Sequence, residues 1–299
     1  MSLAFLFPGQ GAQYVGMGHD LYDRARSVFD LADQILGPEI RSCCFNGPEE
    51  SLKQTATTQP AVFTHSVAAL KILKDRGLQA DLVAGHSVGE LAALVAAGVM
   101  SLQDGFQLVR ARSQAMQSAA EAQAGTMAAI WGMDDEAVVE LCDAMQGLVS
   151  PANFNCPGQV VISGEIEAVQ KAVGEAKNRG AKRAIELSVG GAFHSALMQP
   201  AVETLAKILK TIEFSEAQIP VVPNVTAKPT RDPAQLKQLL VQQVISPVHW
   251  TASMQHLIAK GLDRALEIGP GNTLQGLMRR IDRKLTISGA GTLEAIESL

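Results

Sequence analysis

The chain has 299 residues, room for one large domain or two smaller ones, and 47% of them are hydrophobic while only 4% are aromatic. Ala and Leu dominate the helix-like stretches, which favours a helix-rich α/β protein over an all-β one. A net charge of −5 argues against a nucleic-acid binder, and Cys43, Cys44, Cys142 and Cys156, which fit no zinc or redox spacing and are too few for a disulfide scaffold, read as reduced thiols.

The first strand is expected over Leu3 to Phe7. No basic segment precedes it and Pro8 ends the apolar run early, so it reads as a buried strand rather than a signal peptide. No apolar run approaches membrane-spanning length, and a cytoplasmic location without membrane contact is the expectation. The loop Pro8-Gly9-Gln10-Gly11 would bring backbone amides close to whatever lies beside it. Helical patterns follow over Leu21 to Leu36 and Ala61 to Arg76. The apolar run Leu82-Val83-Ala84 then enters Gly85-His86-Ser87-Val88-Gly89, and strong helix formers continue to Ala97. A further helix is expected from Leu102 to Ala122. Strands alternating with helices imply a parallel sheet covered on both faces.

The rhythm changes between Gly125 and Val189. Thr126 to Trp131 reads as a strand, Asp134 to Met145 as a helix, Leu148 to Phe154 and Gln159 to Ser163 as strands, Ile166 to Arg179 as a helix and Arg183 to Val189 as a strand. That β-α-β-β-α-β order is the ferredoxin-like unit, here a small domain (125–189) inserted into a large domain made of residues 1–124 and 190–299. The large domain closes with a strand at Ala265 to Ile268, the turn Gly269-Pro270-Gly271-Asn272 and a helix reaching Arg280. With no repeat and no low-complexity tract, the expected site is a cleft between two lobes.

Ser87 sits at the centre of a G-x-S-x-G pentapeptide between a strand and a helix, the setting of a nucleophile elbow. There the serine oxygen stands at a helix N-terminus, where backbone N–H groups can hold an oxyanion. The alternative is a strand-to-helix connection whose serine merely caps the helix. A serine hydroxyl needs a base. His86 adjoins Ser87 and should point elsewhere, while His19, His65 and His256 lie in helical or pre-helical sequence. His194 and His249 remain, and His194 is favoured because it follows Gly190-Gly191-Ala192-Phe193 on the loop that re-enters the large domain. No downstream acid presents itself as the third member of a triad, so a carbonyl is expected to hold the histidine.

In the helix from Leu102, positions 108, 109, 112, 115, 116 and 119 share one face and are Leu, Val, Arg, Ala, Met and Ala. Arg112 therefore points inward, whereas Arg110 falls with Gln107, Gln114 and Gln117 on the solvated side. A buried arginine requires an anion, which is either an internal Asp or Glu or, beside a nucleophile, a substrate carboxylate.

Seven blocks now carry a resemblance. Phe7-Pro8-Gly9-Gln10-Gly11, Gly85 to Glu90, Arg110-Ala111-Arg112-Ser113, Asn153-Phe154-Asn155 before Pro157-Gly158-Gln159-Val160, Gly191-Ala192-Phe193-His194-Ser195, Pro247-Val248-His249-Trp250 and Glu267-Ile268-Gly269-Pro270-Gly271 resemble the malonyl-CoA:acyl carrier protein transacylases, in that family's order. The resemblance implies an α/β-hydrolase-like lobe with a ferredoxin-like insert and a Ser87–His194 dyad. It also implies that the main-chain carbonyl of Gln243 orients the histidine, that Gln10 and Val88 supply oxyanion-hole amides, that Asn155 contributes to substrate binding and that Arg112 clamps a malonyl carboxylate. Phe193 resembles the malonyl-type rather than the methylmalonyl-type sequence.

The implied reaction passes malonyl from malonyl-CoA to Ser87 and then to the phosphopantetheine thiol of acyl carrier protein, supplying extender units for fatty acid or polyketide synthesis. No permanently bound cofactor or metal is expected, and a monomer suffices. Acyl carrier proteins are acidic, so a basic patch is expected among Lys177, Arg179, Lys182 and Arg183 or among Arg279, Arg280, Arg283 and Lys284. Two rivals share parts of this pattern. A serine thioesterase or lipase-like hydrolase would release free acid, and a silent carrier-docking module would be expected to lack Ser87, His194 or Arg112.

Overall fold

Short apolar runs far apart in the sequence meet as one parallel sheet. In the computed structural model, which describes residues 2–299, β1 (Ser2–Phe7) lies at the centre, between β2 (Leu82–Gly85) and β8 (Leu262–Glu267). β7 (Val221–Val222) and β9 (Thr286–Gly289) complete the order β7-β2-β1-β8-β9, all parallel. Alternation along β1 buries both faces. Phe5 and Phe7 enter one apolar cluster, and Ala4 and Leu6 enter a second.

Four helices separate β1 from β2: α1 (Arg26–Leu36), α2 (Pro38–Asn46), α3 (Glu49–Leu52) and α4 (Thr55–Asp75). The helix expected from Leu21 begins only at Arg26, because Leu21 and Ala25 are buried through turns that mimic helical spacing. α4 begins at Thr55 rather than Ala61 and carries Pro60 within it. The missing N–H removes one bond near the helix start, and the apolar contacts along this buried helix outweigh that loss. β2 leads into α5 (Gly89–Ala96). α6 (Leu102–Ala122) follows as expected, capped by Ser101, whose Oγ accepts from Asp104 N at 3.0 Å.

A second sheet is antiparallel. β3 (Thr126–Trp131), α7 (Asp135–Asp143), β4 (Val149–Cys156), β5 (Gln159–Gly164), α8 (Ile166–Asn178) and β6 (Arg183–Glu186) follow in chain order, and the strands lie in the order β4-β5-β3-β6. Ala128, Ile130, Val160 and Ile162 pack under α7 and α8, while Met127, Ala129 and Val161 face the core of the large sheet's layer. β6 stops at Glu186 instead of Val189, and the chain turns off the edge so that Leu187 and Val189 reach the cleft. The free edge of β4 is tied to the large lobe. Phe154 N donates to Val248 O at 2.9 Å, and Val248 N donates to Ala152 O at 2.8 Å.

The remaining helices are α9 (Gln199–Thr211), α10 (Pro233–Gln243), α11 (Trp250–Ala259), α12 (Thr273–Ile281) and α13 (Leu293–Glu297). α10 starts on Asp232, whose Oδ1 accepts from Ala234 N and Gln235 N, so its far end at Gln243 is fixed in place. Among the described residues, no helix is long and apolar enough to cross a membrane.

Candidate active site

Ser87 occupies the turn between β2 and α5 with φ +52°, the left-handed region. The turn leaves no room beside it. A Cβ on Gly85 would lie 2.0 Å from the Gly89 carbonyl carbon, and one on Gly89 would lie 2.2 Å from Phe7 O. Ser87 N donates to Asn224 Oδ1 at 2.7 Å, and Asn224 Nδ2 donates to Gly85 O at 2.6 Å, so one buried amide pins both sides of the turn.

His194, also left-handed at φ +59°, brings Nε2 to 2.8 Å from Ser87 Oγ. Its Nδ1 faces Gln243 O at 2.8 Å and Ser246 O at 3.1 Å. Carbonyls only accept, so Nδ1 carries the proton and Nε2 is left to receive one from Ser87. Gln243 ends α10, and the negative end of that helix beneath the ring favours imidazolium as it forms. Burial, and after it the Arg112 charge, push the resting His194 down to about 3, so it stands neutral with Nε2 unprotonated. His249 is elsewhere. It precedes α11 and stacks on Phe154 with ring centroids 5.2 Å apart, which leaves His194 as the histidine at Ser87.

Arg112 points inward, 1% exposed, as the helical spacing requires. Its guanidinium meets amides instead of an acid: Nη1 donates to Gln59 Oε1, and Nη2 donates to Gln243 Oε1 at 2.9 Å and to Ser87 Oγ at 3.2 Å. Among the described residues no carboxylate forms a salt bridge with it, and Nε has no partner, so the internal ion pair is not formed. Burial lowers Arg112 to about 10, opposed by the negative charge of Glu90 nearby. Glu90 lies beneath. Its Oε2 accepts from Asn224 N and from Gln243 Nε2, each at 2.8 Å, and burial raises its carboxyl to about 7 against those two bonds.

A cleft of about 220 Å³ opens over these groups, between the two sheets. Gln10 and Val88 line it beside Ser87, and among the described residues neither main-chain N–H is used by a protein acceptor. Asn155 lines the opposite side with Oδ1 held by His86 Nε2 at 2.9 Å. Phe193, Met127, Val161, Leu187 and Val189 form an apolar wall. Gln243 does not reach the cleft surface and so touches no substrate there: it is fully buried, with its main-chain carbonyl facing the histidine from below.

The basic candidates are all exposed, and they differ in position. Arg279 and Arg280 end α12, whose Leu274 and Leu277 line the cleft, while Arg179 pairs with Glu175 at 2.9 Å and Arg183 lies over Trp131. All four cysteines are buried and unpaired.

Sequence reasoning does not reach Gln59, Glu90, Asn224 or Ser246. Glu90 had a usable signal, since one carboxylate among Leu-Ala-Ala-Leu-Val-Ala-Ala repeats the argument made for Arg112. Asn224 and Ser246 lie in loops whose approach to Ser87 and His194 no local pattern records.

Over residues 4–290 the chain matches the family described as acyl transferase domain. A malonyl CoA-acyl carrier protein transacylase of Bacillus subtilis is 44% identical over 301 residues, 99% of this chain and 95% of that protein. One from Staphylococcus aureus is 41% identical over 300 residues, 98% of this chain and 97% of that protein. Among solved structures, an acyl-carrier-protein-S-malonyltransferase from Bartonella henselae superposes with a TM-score of 0.95 at 42% identity, covering 100% of this chain and 98% of that one. A malonyl-transacylase in complex with its type II PKS acyl-carrier protein gives 0.96 at 39% identity, covering 100% and 98%.

Proposed function

The chain belongs to the acyl transferase domain family, and from that premise we propose that it moves a malonyl group from malonyl-CoA to the phosphopantetheine thiol of acyl carrier protein through an ester on Ser87. One observation carries this reading: Ser87 Oγ lies between a neutral imidazole at 2.8 Å and a buried guanidinium at 3.2 Å that, among the described residues, forms no salt bridge.

His194 Nε2 takes the Ser87 proton as Oγ attacks the thioester carbonyl. The Gln10 and Val88 N–H groups face the oxyanion, the C–S bond breaks, and His194 returns the proton to the departing coenzyme A sulfur. In the second half the carrier thiol gives its proton to His194 and attacks malonyl-Ser87, and Oγ leaves as the hydroxyl. Arg112, held by the Gln59 and Gln243 amide oxygens, pairs with the malonyl carboxylate and so gains the ionic partner those neutral amides do not supply. Pairing also offsets the positive charge that holds His194 deprotonated, so the substrate itself eases imidazolium formation. Asn155, with Oδ1 held by His86, has its Nδ2 available to the substrate, and Phe193 limits branching beside the carboxylate.

We read the antiparallel unit, residues 125–189, as a ferredoxin-like insert in an α/β-hydrolase-like domain of residues 1–124 and 190–299, because its strands follow the β4-β5-β3-β6 order with two helices on one face. Arg279, Arg280, Arg283 and Lys284 are the favoured docking group for an acidic carrier, since α12 reaches the cleft. A cytoplasmic monomer without a resident cofactor fits buried unpaired thiols and a site completed within one chain. Intact-mass measurement after mixing with malonyl-CoA tests the proposal. A malonyl adduct that disappears in Ser87→Ala is expected. Its absence from the unaltered protein, or rapid release of free malonate without transfer, would sink the transferase reading.

A further inference from the structure

Glu90 is a carboxylate on an otherwise apolar helix, 1% exposed, and the reaction as written gives it no part. Burying it without purpose would be unfavourable. Its position explains how the site is oriented. The Asn224 main-chain N–H points at Glu90 Oε2 and cannot turn over, because Asn224 is itself held through its side chain to Gly85 O and Ser87 N. That oxygen is therefore an acceptor whether or not Glu90 is ionised. The Gln243 side chain meets the same oxygen at 2.8 Å and can present only its NH₂ there, so its Oε1 must face the other way, toward Arg112. The same NH₂ also donates to Ser87 O at 3.1 Å.

We propose that Glu90 is the positioning residue of the site: it fixes the orientation of the Gln243 amide, and through it the aim of the Arg112 guanidinium at the acyl group. With Glu90 removed, the Gln243 NH₂ loses its shortest acceptor and keeps only Ser87 O at 3.1 Å and Asn224 Oδ1 at 3.4 Å, so the amide is held less firmly; where it turns over, two donors face each other and the guanidinium keeps only Gln59 as a side-chain amide partner. Gln243 also holds His194 through its main-chain carbonyl, so one residue ties the clamp to the base.

The inference rests on Arg112 acting as the malonyl clamp. Malonyl-CoA and acetyl-CoA are compared as acyl donors, with kcat/KM for loading of Ser87 followed by intact mass. In Glu90→Ala the ratio of malonyl to acetyl loading falls about tenfold, because only the carboxylate-bearing donor needs an aimed guanidinium. Glu90→Gln keeps the ratio or raises it, since its amide oxygen accepts the same two bonds and a negative charge leaves the clamp. Gln243→Met retains the carbonyl to His194 but loses the amide, and its ratio falls as in Glu90→Ala; it carries the test if Glu90→Ala does not fold. An unchanged ratio in Glu90→Ala or in Gln243→Met overturns the proposal, as does a Glu90→Gln ratio as low as that of Glu90→Ala. Failure of the unaltered protein to load malonyl would instead count against the transferase reading.

Discussion

The floor of the cleft is made by polar side chains, Ser87, Arg112 and His194, with Gln243 and Glu90 buried beneath them, each held by directed hydrogen bonds. The wall opposite is made by Met127, Val161, Leu187, Val189 and Phe193, which touch a substrate only through shape. Directional contacts fix atoms to within a few tenths of an ångström and so can carry chemistry, whereas apolar contacts grade substrates by volume. Substitutions in the floor should therefore act on rate and on the identity of the acyl head group. Substitutions in the wall should give smaller, graded effects.

Four measurements test that contrast. Ser87→Ala should abolish the malonyl adduct and lower transfer by about 10⁴-fold or more, and adding His194→Ala should cost little beyond the single change, because the pair acts as a unit. Independent, multiplying losses would break the contrast at its strongest point. Arg112→Ala should reduce the malonyl preference over acetyl by about 100-fold, the order expected for removing one side of a buried charge pair; an unchanged preference in loading kinetics would refute the clamp.

The third is pH dependence. Because His194 is held down at about 3, it stays neutral as pH falls through its ordinary 6.5, and kcat/KM for malonyl loading should show no acid limb near that value. In Arg112→Ala one of the two main causes of the depression is gone, so an acid limb should move up toward neutrality. The same depression means that the unfolded chain takes up a proton that the folded chain refuses, so stability falls as pH drops from about 6.5 toward about 3. The smallest effect is expected in the wall. Phe193→Ala should shift the methylmalonyl-to-malonyl ratio by about tenfold, in line with relief of one methyl clash, and a shift as large as that of Arg112→Ala would erase the distinction.

Much of this was legible in the sequence where local pattern and final position coincide. The spacing along Leu102 to Ala122 placed Arg112 inward, and the glycines around Ser87 marked a turn whose crowding forbids a Cβ. Helix starts were less legible: Leu21 and Ala25 are buried without being helical, and burial keeps α4 intact around Pro60. The supports of the site were hidden for a different reason. Gln59, Asn224 and Ser246 come from separate elements and meet only when the sheet assembles, so their purpose exists in three dimensions and has no periodicity to betray it.

The bridge between Asn153 and Val248 bears on how such a protein could be re-engineered. Strand β4 shares main-chain hydrogen bonds with the segment before α11, Thr251 Oγ1 donates to Phe154 O at 3.0 Å, and Met127, Ala129, Ala152 and Val161 sit in the same apolar cluster as Phe5 and Phe7. The smaller sheet is thus no detachable cassette. Exchanging it with that of a relative would need matching residues at Val248, at Thr251 and across the shared core, and a graft that ignored them would expose apolar surface on both halves. Compatible chimeras should have junctions that carry residues 247–251 along with the strand they bind.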